Sequence, residues 1–299
     1  MMLDGGLATT LEAHGCDLND ALWSAKTLVE TPELIKAVHR EFLDGGADCI
    51  ATVSYQATVA GFIAYGYSMA EARSLIRLAA EIACEARDDF WGDQQVSDGR
   101  LSPLVAASIG PYGAYLADGS EYVGDYALDE DGLYDFHAER WRLLADTDVD
   151  LMACETIPSL PEARALVRLI DETEGCWAWV SFTCRDGQSI SDGTPIVEVA
   201  QICDVPARVV AVGVNCVSPS LVPTLVKEIR RGTQKPIVVY PNSGERYDAE
   251  AKVWTGLAEP GGWDLDGWKA AGAELFGGCC RVSPQAIRTM RNRLEAAAR

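Results

Sequence analysis

Short apolar runs and amphipathic stretches alternate along the whole chain, and this alternation limits the fold more than any other feature. The apolar runs lie at residues 48–54, 104–109, 149–154, 177–183, 209–215, 236–240 and 273–276. Helical spacing of apolar residues marks 32–44, 69–88, 130–145, 160–172, 195–203, 218–230, 265–271 and 284–298. Thr31-Pro32-Glu33 and Ser159-Leu160-Pro161-Glu162 read as helix starts, each with a capping residue and a proline in the first turn. Strands that alternate with helices build parallel βαβ units. Seven strands are clear, and residues 1–3 are left to act as the first of eight. Eight such units in 299 residues predict an α/β chain folded as one domain, a (β/α)8 TIM barrel over 1–299. A doubly wound sheet is the alternative. It is weakened by the lack of a G-x-G-x-x-G turn after the first strand.

A net charge of −20 repels phosphate backbones and argues against nucleic-acid binding. No apolar run reaches the roughly 18 residues that suggest a membrane helix. The N-terminus carries neither the basic nor the apolar segment of a secretory signal, so the expectation is a cytoplasmic protein with no membrane partner. In a reducing compartment the ten cysteines read as core residues, metal ligands or reactive thiols rather than disulfides. Cys49, Cys84, Cys154 and Cys203 sit inside apolar patterns and are expected in the core. Helix faces alone do not distinguish a monomer from a homodimer.

In a barrel, chemistry gathers where strands end at their carboxyl side. Those positions here hold Asp4-Gly5-Gly6, Ser54-Tyr55-Gln56, Gly110-Pro111-Tyr112, Glu155-Thr156, Thr183, Asn215-Cys216, Tyr240-Pro241-Asn242 and Gly277-Gly278-Cys279-Cys280. Cys216, Cys279 and Cys280 therefore meet at one rim. Adjacent residues of a regular strand point to opposite faces. The two glycines are expected to supply the unusual backbone angles that turn both sulfurs inward. Three thiolates suit zinc, and three protein ligands leave a fourth position open, as in catalytic sites. The competing reading is three small packed residues with no metal.

Asp4 and Glu155 at the rim can hold an ammonium group, and the Gly5-Gly6 backbone can bind a carboxylate. Together they suit an amino acid. The loop after the third strand mixes Tyr112, Tyr115, Tyr122 and Tyr126 with Asp118, Glu121 and Asp125, a composition that suits a cation. None of the three histidines, His14, His39 and His137, ends a strand, which disfavours a histidine-ligated metallohydrolase. No lysine ends one either, which argues against Schiff-base chemistry. A phosphate site after the last two strands is conceivable but leaves the cysteine pair unexplained.

These residues resemble the homocysteine S-methyltransferases, a zinc-dependent barrel family. The matching segments include D-G-G-L-A-T-T-L-E at 4–12, S-Y-Q-A-T at 54–58, G-P-Y-G-A-Y-L-A-D-G-S-E-Y at 110–122, C-E-T at 154–156, G-V-N-C at 213–216, Y-P-N-S-G-E at 240–245 and G-G-C-C-R at 277–281. The resemblance implies that Cys216, Cys279 and Cys280 bind zinc. It implies that the homocysteine sulfur fills the fourth position as a thiolate. It also implies that Asp4 and Glu155 hold the substrate ammonium, with Gly5 near its carboxylate. The loop at 110–122 and Y-P-N-S-G-E look like the branch that uses S-methylmethionine. Betaine-using relatives carry tyrosines where this chain has Gln56 and Thr156, so the expected donor is a sulfonium: S-methylmethionine, or less efficiently S-adenosylmethionine. Tyr55, Tyr112 and Trp23 are the candidate aromatic contacts to that donor. Gln56 and Asn242 are its candidate polar contacts, and Asn215 is a further candidate substrate contact beside Cys216. A betaine-type enzyme and a non-catalytic zinc- or thiol-binding barrel remain as alternatives.

Overall fold

The sheet that organises the molecule has seven parallel strands. They are β1 (Cys49–Ala51), β2 (Leu104–Ile109), β3 (Leu151–Ile157), β4 (Ala178–Phe182), β5 (Val209–Asn215), β6 (Ile237–Tyr240) and β9 (Ala273–Phe276), in that spatial order. A separate antiparallel pair, β7 (Arg246–Asp248) and β8 (Val253–Thr255), lies between β6 and β9 in sequence. This is a computed structural model, and it describes residues 1–16, 24–93, 100–248, 253–255 and 262–297.

The expected first strand at residues 1–3 is reduced to two isolated parallel bridges, Met2 with Phe276 and Leu3 with Cys49. The Leu3 N–H donates to Phe276 O at 2.7 Å, and the Asp4 N–H donates to Cys49 O at 3.0 Å. Two residues thus bond to both edge strands of the sheet. That leaves Asp4, directly after them, at the carboxyl end of β1.

Apart from Glu274 on β9, which is exposed and pairs with Arg230, the strands are mainly apolar on both faces, as parallel strands covered on both sides require. Residues of one parity, such as Ile50, Val105, Ala107, Met152, Val180, Val212 and Val239, join the large core with Phe42, Phe62, Trp141 and Trp268. The other parity supplies a smaller cluster: Leu3, Cys49, Ala106, Ala153, Trp179, Ala211, Val238 and Tyr240. Alanines recur there, and Trp179 and Tyr240 fill the space that they leave.

The helices fall between the strands as the periodicity predicts, for example Pro32–Asp44, Glu130–Ala145 and Leu160–Glu172. The helix from Met69 runs on to Asp93, past its expected end. Thr31 and Ser159 do occupy the N-cap positions, with proline in the first turn. Neither side chain makes a capping hydrogen bond. After Ser159, the Leu160 N–H is taken instead by Asp192 Oδ2 at 2.8 Å. The loop after β2 is partly helical, with a short helix Tyr112–Leu116 and a 3-10 turn Ser120–Tyr122. Among the described residues, no helix is long and apolar enough to cross a membrane.

Candidate active site

Period two carries the inner parity to the carboxyl ends of the strands. Ala106 is followed by Ser108, Ala153 by Glu155, Trp179 by Ser181, Ala211 by Gly213 and Asn215, and Val238 by Tyr240. These polar residues hold one another. Ser108 Oγ donates to Glu155 Oε1. The Tyr240 hydroxyl receives Trp179 Nε1–H at 3.0 Å and bonds Ser181 Oγ. Asn215 is fully buried, and its Oδ1 accepts from the Thr156 N–H at 2.7 Å and from Ser181 Oγ at 2.9 Å. Its Nδ2 donates to Thr156 Oγ1 at 2.7 Å and reaches Cys279 Sγ at 3.9 Å.

The three predicted cysteines come together. Cys216 follows β5, and Cys279 with Cys280 follows β9. The Cys216 and Cys280 sulfurs are 3.8 Å apart, those of Cys279 and Cys280 are 4.0 Å apart, and all three lie within 4.8 Å of one another. Hydrogen bonds from Cys279 and Cys280, then from Tyr122 and Asn242, pull the Cys216 thiol well below the usual range. The other two thiols are pushed up.

The backbone device that aims the sulfurs differs from the expected one. Neither Gly277 nor Gly278 has a positive φ. Their need is space: a Cβ on Gly277 would lie 2.7 Å from Leu3 Cβ, and one on Gly278 would lie 2.2 Å from the Val282 side chain. Positive φ falls on Cys216 itself (51°), on Thr156 (61°) beside Glu155 and on Arg281 (63°) beside Cys280. Non-glycine residues in this region cost about 1–3 kcal/mol each and collect at functional sites. The surroundings hold the turn in place: the Cys279 N–H donates to Pro241 O at 2.8 Å, and the Ser243 N–H donates to Cys280 O at 3.1 Å. Arg281 pairs with Glu245, which also accepts from Ser243 Oγ at 2.9 Å.

Two carboxyls lie at the same rim: Asp4, which is buried, and Glu155, which is partly buried and close enough to Cys216 to feel its charge. Asp4 Oδ2 accepts the Ala51 N–H at 2.7 Å. Burial first, and then the charge of Glu155, drive Asp4 well above the usual carboxylate range. Burial also lifts Glu155 to about 7, opposed by its hydrogen bonds to Ser108 and Tyr240. Among the described residues no basic side chain pairs with either carboxyl, and an ammonium group placed between them would favour the charged forms of both.

Over its full length this arrangement has close counterparts. Residues 1–294 match the family described as homocysteine S-methyltransferase. The chain belongs to the homocysteine S-methyltransferase family. Among the relatives of this methyltransferase chain is the homocysteine S-methyltransferase YbgG of Bacillus subtilis, 52% identical over 96% of this chain and 92% of that protein. A selenocysteine Se-methyltransferase of Brassica oleracea is 47% identical over 98% of this chain and 87% of its own. Among solved structures, the Escherichia coli homocysteine methyltransferase MmuM in its metallated form superposes with a TM-score of 0.88 at 43% identity, covering 98% of this chain and 96% of that one.

The remaining predicted residues of this methyltransferase-family chain are placed unevenly. Gly5 packs tightly, since a Cβ there would meet Val282 O at 2.3 Å and Phe42 at 2.9 Å. Gln56 Nε2 donates to Ala114 O at 2.7 Å, and Asn242 bonds Cys216. Tyr55 lies close enough to Glu121 and Cys216 to feel their charges and bonds Thr156. The Tyr112 ring is not brought to the cysteines. It packs edge-on to Phe136 at 4.9 Å and to Tyr126 at 5.3 Å. Trp23 lies outside the described residues. Tyr122 takes the place expected of Tyr112, with its hydroxyl 3.5 Å from Cys216 Sγ. Sequence reading grouped Tyr122 with its loop but gave it no role. Tyr240 was placed at a strand end without a role, and Ser108 and Ser181 were missed, although strand parity alone aligns them with Glu155 and Asn215.

Beneath the site lies a second buried network. Glu162 Oε1 accepts the Tyr112 N–H at 2.6 Å and His137 Nε2–H at 2.8 Å. Burial pushes the His137 pKa down, so the ring is neutral with its proton on Nε2. Its Nδ1 then accepts from Arg140 at 3.1 Å. Arg140 also donates to Tyr55 O at 2.9 Å and to Gly110 O at 2.6 Å. Its charge balances Glu162, and the network pins the ends of the loops after β1 and β2. The histidines thus stay clear of the cysteines: His39 is fully buried, and exposed His14 pairs with Glu41 at 2.8 Å.

The raised Glu155 carboxyl has a consequence for stability. Between about pH 4.5, its ordinary value, and about 7, the folded protein keeps a proton that the unfolded chain has released. Stability therefore falls as pH rises through that window, by up to roughly 1.4 kcal/mol per unit from this group. Glu155→Gln is expected to gain stability relative to the parent protein between pH 5 and 8. Urea midpoints measured across that range check it.

Proposed function

We propose that this protein transfers a methyl group from a sulfonium donor, S-methylmethionine ahead of S-adenosylmethionine, to homocysteine, forming methionine. The observation that carries the reading is the convergence of three cysteine sulfurs at the rim that also holds Asp4 and Glu155, two carboxyls with no basic partner among the described residues. In the same reading, residues 1–299 form one (β/α)8 barrel domain. The bridges from Met2 and Leu3 to both edge strands support that closure.

The metal in this reading is zinc, and the residues fit it. Zinc–sulfur bonds of about 2.3 Å in a tetrahedron place sulfurs about 3.8 Å apart, and two of the pairs here are at 3.8 and 4.0 Å. Cys216, Cys279 and Cys280 would hold the ion. Bound there, it supplies a Lewis acid that keeps a substrate thiol deprotonated near neutral pH, where a free thiol with pKa of about 8.5 is mostly protonated.

The chain's own residues do the rest. Asp4 and Glu155 hold the homocysteine ammonium, and the backbone at Gly5 lies toward its carboxylate. Asn215 keeps Cys279 and the strained Thr156 in register. Tyr55, Gln56, Asn242 and Tyr122 line the donor side. The homocysteine sulfur attacks the methyl carbon in line, the carbon–sulfonium bond breaks, and its electron pair stays on the donor sulfur. The leaving group is a neutral thioether, so no proton must be delivered to it. This agrees with histidines placed away from the site. What the protein contributes is alignment and exclusion of water.

The test is homocysteine with S-methylmethionine, S-adenosylmethionine or betaine, each with and without a chelator. The expected result is methionine from the two sulfonium donors only, lost on chelation and restored by zinc. Turnover indifferent to the chelator, or none with any sulfonium donor, would overturn the reading.

A further inference from the structure

We propose that the Glu121 carboxylate recognises the α-ammonium group of the methyl donor, and thereby selects donors of net positive charge over zwitterionic ones. The proposal rests on the sulfonium-donor reading above.

Glu121 sits in the 3-10 turn Ser120–Tyr122, whose last residue reaches Cys216 Sγ at 3.5 Å. The turn is fixed rather than loose. A Cβ on Gly113 would lie 2.3 Å from the Glu121 nitrogen, so the short helix after β2 packs flush against it. The carboxylate is close enough to Cys216 for their charges to repel. Yet its Oε2 is buried and has no hydrogen-bond partner among the described residues.

A neighbour is in the same condition. Gln56 spends its Nε2 on Ala114 O, on that same short helix, and its Oε1 is likewise buried and unpartnered. Asn242 Oδ1, beside Cys216, is a third such atom. All three are acceptors only. Buried acceptors without donors are costly, and a ligand rich in N–H groups relieves them. An ammonium group is such a donor, and it also matches the charge of Glu121.

Charge development separates the ammonium from the sulfonium as the partner of Glu121. The sulfonium loses its charge as the methyl group leaves, so a carboxylate against it would favour the ground state over the transition state. The ammonium keeps its charge throughout, so a carboxylate there binds both states equally. S-methylmethionine and S-adenosylmethionine both carry this group and a net charge of +1. Betaine and sulfonium carboxylates without an amino group are neutral overall.

The experiment compares the parent protein with Glu121→Gln and Glu121→Asp, using S-methylmethionine and 3-(dimethylsulfonio)propanoate as donors. Glu121→Gln should raise the KM for S-methylmethionine by about 10- to 100-fold, the range of a charged hydrogen bond. The loss should fall on KM rather than kcat, with the homocysteine KM and metal content unmoved. The preference for S-methylmethionine over the amino-free sulfonium should shrink by the same factor, and Glu121→Asp should recover part of it. An unchanged donor KM and preference in Glu121→Gln would overturn this assignment while leaving the methyltransfer reading intact. A fall in kcat alone would overturn it too. If the parent protein transferred from neither sulfonium donor, the broader reading would fail instead.

Discussion

Cys279→Ala is expected to yield a folded protein with little or no bound metal and methyl transfer reduced at least about a hundredfold, the scale of losing alignment at the reacting centre. Only two of the clustered sulfurs would remain, those of Cys216 and Cys280 at 3.8 Å. Two thiolates do not complete the ligand set of either a structural or a catalytic zinc site. The fold should survive, because the Cys279 N–H still donates to Pro241 O and the change removes only a sulfur. Metal analysis, circular dichroism and turnover on one preparation check this. Full metal content with full activity would contradict the proposed site.

Arg140→Met is expected to destabilise the protein by about 3–5 kcal/mol, the range for a buried charge stripped of its partner. Total stabilities of 5–15 kcal/mol are typical, so this is a large fraction. The guanidinium is 2% exposed and serves Tyr55 O, Gly110 O and His137 Nδ1 together. Its loss leaves Gly110 O and His137 Nδ1 without that donor, Tyr55 O with only the Gly110 N–H at 3.2 Å, and Glu162 without a counter-charge. Adding Glu162→Gln to Arg140→Met should cost less than the sum of the single changes, because the second removes the unbalanced charge created by the first. Urea unfolding of the two single variants and the double variant measures the coupling. Additive effects would mean that the two groups do not balance each other.

Much of the architecture is legible locally. Apolar periodicity located all seven strands of the parallel sheet, because a residue's place in a strand or helix depends on near neighbours. The motif residues at strand ends were also legible, since a barrel expectation turns each strand end into a site address. The strand at residues 1–3 followed from counting units rather than from periodicity, because two residues of pairing leave no pattern to detect. Thr31 and Ser159 marked helix starts correctly, but whether a hydroxyl reaches a backbone N–H depends on rotamer and neighbours rather than residue type.

What the sequence determined by itself was the order of elements, the polar content of each strand end and the identity of the cysteines. The tertiary structure decided which of those groups meet. Cys216 and Cys280 lie 64 positions apart, and only the curled sheet brings their sulfurs to 3.8 Å. It placed Tyr122 rather than Tyr112 at Cys216, and joined Glu162, His137 and Arg140 beneath the loops. It also moved the strained backbone from the glycines to Cys216 itself, with φ of 51°, while Gly277 and Gly278 serve close packing. The physical reason is common to all of these. Local patterns report a residue's own backbone, whereas a site depends on atoms brought together from distant segments, and their separation is set by sheet register and packing.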